Sequence, residues 1–557
     1  MEKFDVVIVG AGFAGMYGLH KFREKGLRVR AFEAGSDVGG TWYWNRYPGA
    51  RCDVPSIEYS FGFSEELEQE WDWPEVFSAQ PDILRYANHV ADRFELRQDI
   101  EFNSRVTEVR FLEGEGLWRI ATDQETRCLA KYCVMATGCL SVPNMPSLEG
   151  ADSFEGEVLH TGRWPKEPID LSKKQVGVIG TGSSGVQAIP ELAKQSEHLF
   201  VYQRSPVYTV PANRKAMREE VQAEFRRNYR EIRELQQLNF GGVSNFRLTE
   251  SVKRAVSEES QNARPSKILE ISGDQLKQMI SEQGLGVLLS FTDVYSDMRA
   301  NEIANQLFRE EISNIVEQQD VANSLLPKDY GLGCKRQVLD RDYYETFNRP
   351  DVTLIDLKQT PIERISPKGI VTGDSEQELD VIIYATGFDA ITGAFDQIDI
   401  RGTNGQKLKE KWDSGGIQTY LGIFVHGFPN MLMPAGPQSG SASSNYPRGI
   451  ENGVNWVTAL LEYARARDIK RVEAGTEAER EWTEHVVQMY SMMLMRKARS
   501  WFTGYNSNVA GHEYGNPRYL VYNGGAPKYV RRIDQVASDG YTGVEMDGVA
   551  SERAAAS

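Results

Sequence analysis

The chain has 557 residues, 40% hydrophobic and 25% charged, enough for two or three domains around a large buried core. Its formal net charge of −16 argues against a nucleic-acid partner or an anionic membrane surface. No apolar run approaches the roughly 20 residues that span a bilayer, and the five cysteines form no CxxC pair, which speaks against a disulfide framework.

The first element is the apolar run Phe4–Val9, which enters the turn Gly10-Ala11-Gly12-Phe13-Ala14-Gly15. In such a turn the first glycine reverses the strand into a helix and the second lets backbone approach a pyrophosphate. The third lets the helix pack on the strand. The strand Leu27–Phe32 then ends at Glu33, 18 residues after Gly15, where a carboxylate accepts ribose hydroxyls and repels a 2′-phosphate. This site reads as an FAD site. Beginning at Phe4, the first strand leaves no room for a signal peptide and points to the cytoplasm. The unit closes at Val134–Gly138, after Cys128 and Cys133, whose place on a strand predicts burial.

A second unit opens with Val176–Ile179 and the turn Gly180-Thr181-Gly182-Ser183-Ser184-Gly185. Its second strand, His198–Gln203, ends at Arg204, 19 residues after Gly185. A planar guanidinium there suits a phosphate dianion, so this site reads as NADPH. A run nearly matching the first unit's end, Val381–Gly387, closes it, and the twin Ala-Thr-Gly segments are expected to be the chain crossings between domains. Between them, 212–330 turns charged, glycine-poor and helix-periodic, a helical insertion expected to act as a lid. The chain then returns through the Gly/Ser/Pro-rich stretch Pro434–Gly449 and an amphipathic helix near Ile450–Ala466. The predicted architecture is α/β, with two Rossmann-like domains and a helical insertion in the NADP domain. The FAD domain covers 1–142 and 386–545, the NADP domain 143–211 and 331–385, and 546–557 is a tail expected to be disordered. The seven histidines are scattered without metal-ligand spacing, so no metal site is expected.

Between the two glycine turns lies Phe154-Glu155-Gly156-Glu157-Val158-Leu159-His160-Thr161-Gly162-Arg163-Trp164-Pro165. It resembles FxGxxxHxxxW(P/D) of the type I Baeyer–Villiger monooxygenases; related N-hydroxylating and flavin-containing monooxygenases usually carry another aromatic at the Trp164 position. Gly39-Gly40-Thr41-Trp42 and Tyr47-Pro48-Gly49 through Asp53 match a second pattern of the family. The similarity extends over nearly the whole chain, with a texture closest to the phenylacetone and steroid monooxygenase branch. It implies an NADPH- and O2-dependent enzyme that turns ketones into esters or lactones through a C4a-peroxyflavin. A heteroatom oxygenase acting on sulfides or amines is the alternative within the class, and a non-oxygenating NADPH-binding redox flavoprotein the alternative outside it. A disulfide reductase would need a cysteine pair beside the flavin, which Cys128 and Cys133 do not supply.

The resemblance also implies site residues. Arg336 of Gly333-Cys334-Lys335-Arg336-Gln337 would stabilise the peroxyflavin and the adduct, because arginine stays charged. Asp53 would orient it, and Lys335 would join Arg204 at the NADP 2′-phosphate. Thr41, Trp42, Tyr43, Trp44, Asp53 and Tyr59 would line the FAD with Gly10, Gly12, Gly15 and Glu33, and Val106 would touch its adenine side through backbone. Arg51, Cys52, Gly180, Thr181, Gly182, Ser183, Ser184, Gly185, Gln187, Ser205 and Trp501 would surround NADP, with Trp501 on a closing loop. His160 would couple domain orientation to flavin chemistry or serve packing. The chain departs from its relatives at Gly504–His512 and at Gly440 after Gln438-Ser439, loops that border the substrate pocket, so the ketone preference does not carry over.

Overall fold

The computed structural model describes residues 1–212, 216–243, 267–442, 444–509, 511–515 and 517–547. Two sheets organise the chain, the first mixed and the second all parallel. In the first sheet, β1 (Glu2–Val9), β2 (Val29–Phe32) and β3 (Ile100–Glu101) run parallel, followed by β4 (Val106–Leu112), β5 (Leu117–Thr122) and β6 (Arg127–Met135). β1 lies between β2 and β6, with Val9 in register with Phe32 on one side and Met135 on the other. Flanked on both sides, Val6, Val7 and Ile8 are fully buried, which is why this strand reads as a continuous apolar run. Cys128 and Cys133 lie buried inside β6, both free.

The second sheet collects β7 (Glu157–His160), β8 (Gln175–Ile179) and β9 (His198–Gln203). β10 (Thr209–Pro211) pairs with β11 (Val338–Asp340), closing the ends of the insertion against each other. β12 (Val352–Asp356) then joins β9; β13 (Ile362–Ser366), β14 (Gly369–Thr372) and β15 (Ser375–Glu378) form a small antiparallel sheet, and β16 (Val381–Tyr384) slots between β8 and β7. The order is β12-β9-β8-β16-β7, all parallel.

The two units repeat one local design. Gly10 and Gly180 have φ of +104° and +111°, and a Cβ on either would stand 2.5 or 2.6 Å from the carbonyl oxygen of Ala136 or Ala385. Only glycine tolerates both conditions. The Ala-Thr-Gly ends of β6 and β16 are what press on these turns, so the twin segments are parts of the sites they follow. They also mark the crossings between sheets. Pro143 and Phe388 pair antiparallel, Asn144 N–H donates to the Gly387 carbonyl at 2.9 Å, and the Thr386 hydroxyl donates to the Asn144 carbonyl.

The insertion is helical and docks in two parts. Met298–Ile315 packs with Ile268, Leu288 and Phe291 around Tyr208 beside the second sheet. Tyr229–Leu238 instead packs on the first domain, where buried Arg233 donates to Glu68 at 2.8 Å and Gln236 to Glu58 at 3.0 Å. Ile232 joins the core there, and Arg233 donates also to the Ser60 hydroxyl at 2.8 Å and the Glu58 carbonyl at 3.3 Å. The insertion of the NADP domain thus has a second foothold, on the first domain. Residues 213–215 and 244–266 of the insertion lie outside the described residues.

On its return the chain adds β17 (Asp399–Arg401) beside β4 and β18 (Met431–Leu432) beside β6. The amphipathic helix runs Tyr446–Ala466, with Pro447 in its first turn, and packs on Phe13–Glu24. β19 (Val472–Ala474) pairs antiparallel with β20 (Val544–Met546). Met546, expected in the disordered tail, is thus held by a ladder, since Val472 and its neighbours need a partner for their backbone. Residues 548–557 of that tail lie outside the described residues.

Candidate active site

A cavity of about 1850 Å³ runs across the join of the two sheets, and both glycine turns open onto it. The Gly12 position meets only Gly40, and a Cβ on Gly182 would find open space, so both turns present bare backbone to the cavity. Gly15 and Gly185 stay outside it. Their Cβ atoms would strike the carbonyl oxygens of Gly10 and Gly180 at 1.9 and 2.4 Å, so they fit the helix to the strand and support the site from behind.

Glu33 is buried beneath the first turn. Its carboxylate accepts from Ala11 N–H at 2.8 Å and Gly35 N–H at 2.7 Å; burial raises its pKa and those two donors pull it down. The adjoining wall is the short helix Thr41–Trp44. Trp42 donates through Nε1 to the Tyr59 hydroxyl at 3.1 Å, and Trp42, Trp44, Tyr59 and Val106 line the cavity. Tyr43 does not. Its hydroxyl turns to Ser36 instead, while Lys166 and Arg46 lie over its ring.

Arg336 stands where the two halves meet. Its Nη2 donates to Asp53 Oδ2 at 2.7 Å, and Asp53 Oδ1 accepts from Leu339 N–H at 3.3 Å and Gln187 Nε2 at 3.4 Å. Protein surrounds the guanidinium, yet 40% of the side chain stays accessible because it points into the cavity. Burial lowers its pKa, and Asp53 with Cys52 and Tyr47 more than offsets this, so it lies above the ordinary value. The Cys52 thiol is pushed up to about 12 by burial, which keeps it protonated and inert. Arg51, Cys52 and Asp53 all line the cavity. Tyr47 was missed by sequence reasoning: its hydroxyl donates to Gln187 Oε1 at 2.8 Å across the domain join. It stands in the Tyr47-Pro48-Gly49 pattern, which was the available signal.

At the second turn, Thr181 Oγ1 donates to the Ser205 carbonyl at 3.0 Å, and Ser183, Ser184 and Gln187 face the same space. Arg204 and Lys335 converge there. Lys335 lies 4.2 Å over the Tyr330 ring, and burial together with Arg204 lowers its pKa to about 8. Among the described residues neither cation has a carboxylate within ion-pair distance. Two converging unpaired cations fit a dianionic group. Arg204 Nη1 donates to Ser507 Oγ at 3.0 Å, so the loop that departs from the family pattern reaches this pocket, and Trp501 lines the cavity beside it.

His160 ends β7 as a packing and connecting residue. Its Nδ1 accepts from Gly162 N–H at 2.8 Å, so the neutral ring carries its proton on Nε2, 3.3 Å from Thr386 Oγ1. Burial lowers its pKa to about 4, and it stays neutral at the crossing. Asn144 was also missed: its side chain donates to Asn506 Oδ1 and accepts from Asn508 Nδ2, both at 3.0 Å, tying the 504–509 loop to that crossing.

A family model described as pyridine nucleotide-disulphide oxidoreductase matches residues 7–267. A Baeyer-Villiger monooxygenase of Pseudooceanicola batsensis is 37% identical, covering 99% of this chain and 97% of the relative. The phenazine N-monooxygenase PhzNO1 of Lysobacter antibioticus is also 37% identical, over 97% and 96%. The solved structure of an oxidized steroid monooxygenase bound to NADP superposes with a TM-score of 0.89 at 42% identity, over 98% and 99% of the two chains. The chain therefore belongs to the type I Baeyer–Villiger monooxygenases, within the class B flavoprotein monooxygenases.

Proposed function

We propose that the protein is an NADPH- and O2-dependent monooxygenase that converts ketones to esters or lactones, holding FAD at the Gly10 turn and NADPH at the Gly180 turn. The observation that carries this reading is Arg336, a permanent cation held by Asp53 and aimed into a cavity that both turns share. Bound FAD, once reduced by NADPH, supplies the activation of O2. This chain's own residues do the rest. Glu33 takes the ribose of the first dinucleotide, and Arg204 with Lys335 selects the 2′-phosphate of the second. Adding an oxygen nucleophile to a ketone builds negative charge on the carbonyl oxygen, and Arg336 offsets it without a proton to lose. Trp42, Trp44 and Tyr59 give the flavin end an apolar wall.

We assign residues 1–142 and 386–546 to the FAD domain, 143–211 and 331–385 to the NADP domain, and 212–330 to the insertion. No helix among the described residues is long and apolar enough to cross a membrane, and the reading places the enzyme in the cytoplasm with small-molecule partners. Oxygenation of heteroatoms is the second reading, favoured by the likeness to a phenazine N-monooxygenase. The test is incubation of purified protein with NADPH in air and a panel of linear, cyclic, aryl and steroid ketones beside sulfides and amines. Ester or lactone identified by mass supports the first reading. Oxides of the heteroatom substrates with every ketone unchanged would replace it with the second.

A further inference from the structure

Two arginines at the flavin end of the cavity have no part in the reading above. Arg163 sits in the turn Thr161–Arg163 that follows β7, and its guanidinium carbon lies 4.6 Å from the centroid of the Trp44 ring. Its Nη1 and Nη2 donate to the carbonyls of Gly162 and Ser141, both at 3.0 Å. These anchors fix the guanidinium plane and neutralise no charge. Burial lowers its pKa, and Arg105 lowers it further. Arg105 stands just before β4, next to Val106, and both arginines line the cavity. Among the described residues neither has a carboxylate within ion-pair distance. Glu33 feels Arg105, but its oxygens are turned to Ala11 and Gly35.

Both side chains are exposed, so water screens their mutual repulsion, and two cations without a carboxylate partner facing one cavity raise the local potential for an anion bound there. The group due at this end of the cavity is a dinucleotide whose pyrophosphate carries two negative charges. We propose that Arg105 and Arg163 form a clamp on the FAD of the first site, matching the charge of its pyrophosphate; this rests on the FAD reading. Arg163 comes from the sheet of the second domain, whereas Arg105 and Trp44 come from the first. The clamp is therefore complete only when the domains are docked, and flavin retention becomes a measure of docking. It also gives the His160–Trp164 turn a task beyond packing, since the residue before Trp164 carries the reach.

The test follows the fluorescence of FAD released from diluted holoenzyme at low and high salt, with NADP+ affinity and melting temperature measured on the same samples. Loss of one charge-assisted contact should make R163A and R105A each release FAD about ten-fold faster at low salt. Salt should speed release from the wild type and have little effect on the double variant R105A/R163A. R163K should fall between, keeping the charge and losing the flat contact with Trp44. NADP+ affinity should not move. Release at the wild-type rate from both single variants overturns the proposal. So does an equal loss of NADP+ affinity, which would make Arg163 a general support of domain docking. A wild-type protein purified without flavin would instead sink the reading of the first site itself.

Discussion

Arg336 and Asp53 are a pair in which the roles of the two charges differ. Asp53 is committed to three donors, while Arg336 keeps a free side toward the cavity. Replacing Arg336 with Ala should leave FAD bound and still bleached by NADPH without air. Ester formation should fall by about 10²–10³ or more, as for loss of an oxyanion-stabilising donor, and NADPH consumed in air should appear as hydrogen peroxide. Ester at near wild-type rate would remove Arg336 from the chemistry. Lys335 sets a pH dependence of its own. It is charged below about 8 and neutral above, so the KM for NADPH should climb as pH rises from 7 to 9. About a tenth of Lys335 keeps its proton at pH 9, so the climb over this range should reach at most about ten-fold, while the KM for NADH stays flat. Lys335→Met should start high and show no such climb; a climb that persists in that variant would assign the titration elsewhere. Glu33, Arg204 and Arg336 were legible in the sequence because each stands a fixed distance from a glycine turn or inside a family pattern. The orientation of Tyr43 was not, because it depends on Ser36 and Lys166 closing around its ring.

At the scale of elements, the glycine turns divide their labour among three positions. Gly180 meets the strand end at Ala385, Gly185 meets Gly180, and Gly182 alone faces open space. Gly182→Val should therefore fold and melt normally and keep its yellow FAD, yet NADPH should bleach it only at far higher concentration. Unchanged affinity for NADPH would place the second dinucleotide elsewhere. The turns, their strands and the long helix after Asn445 were readable from local pattern, since each repeats a short-range rule. The split footing of the insertion was not. Arg233 reads as surface charge in a helix-periodic stretch, and only the tertiary fold brings Glu68 to it, across 165 positions of chain.

Across the whole molecule, the two domains meet through very short contacts. Gly49 has φ of +83°, and a Cβ there would stand 2.1 Å from the carbonyl oxygen of Gln187. Gln187 in turn holds the Arg51 carbonyl and Asp53. Gly49→Ala must push the second domain away and slacken the support of Asp53, in addition to the strain of about 1 kcal/mol or more for a side chain at positive φ. The variant should still consume NADPH in air, with a larger share of it ending as peroxide and a smaller share as ester. An unchanged ratio would show that catalysis tolerates a looser join. Such contacts between segments more than a hundred residues apart, like the link of Asn144 to Asn506 and Asn508, leave no local trace in the sequence.

In the proposed reaction one oxygen atom from O2 enters a ketone at the expense of NADPH. The direct measurement is a reaction of purified enzyme with NADPH, a ketone that the product screen shows to be accepted, and O2 labelled with oxygen-18, read by mass spectrometry of the product beside NADPH consumption. The expected product is an ester or lactone carrying a single labelled oxygen, formed in proportion to the NADPH consumed. NADPH oxidation that no ketone stimulates, or a product without label, would contradict it.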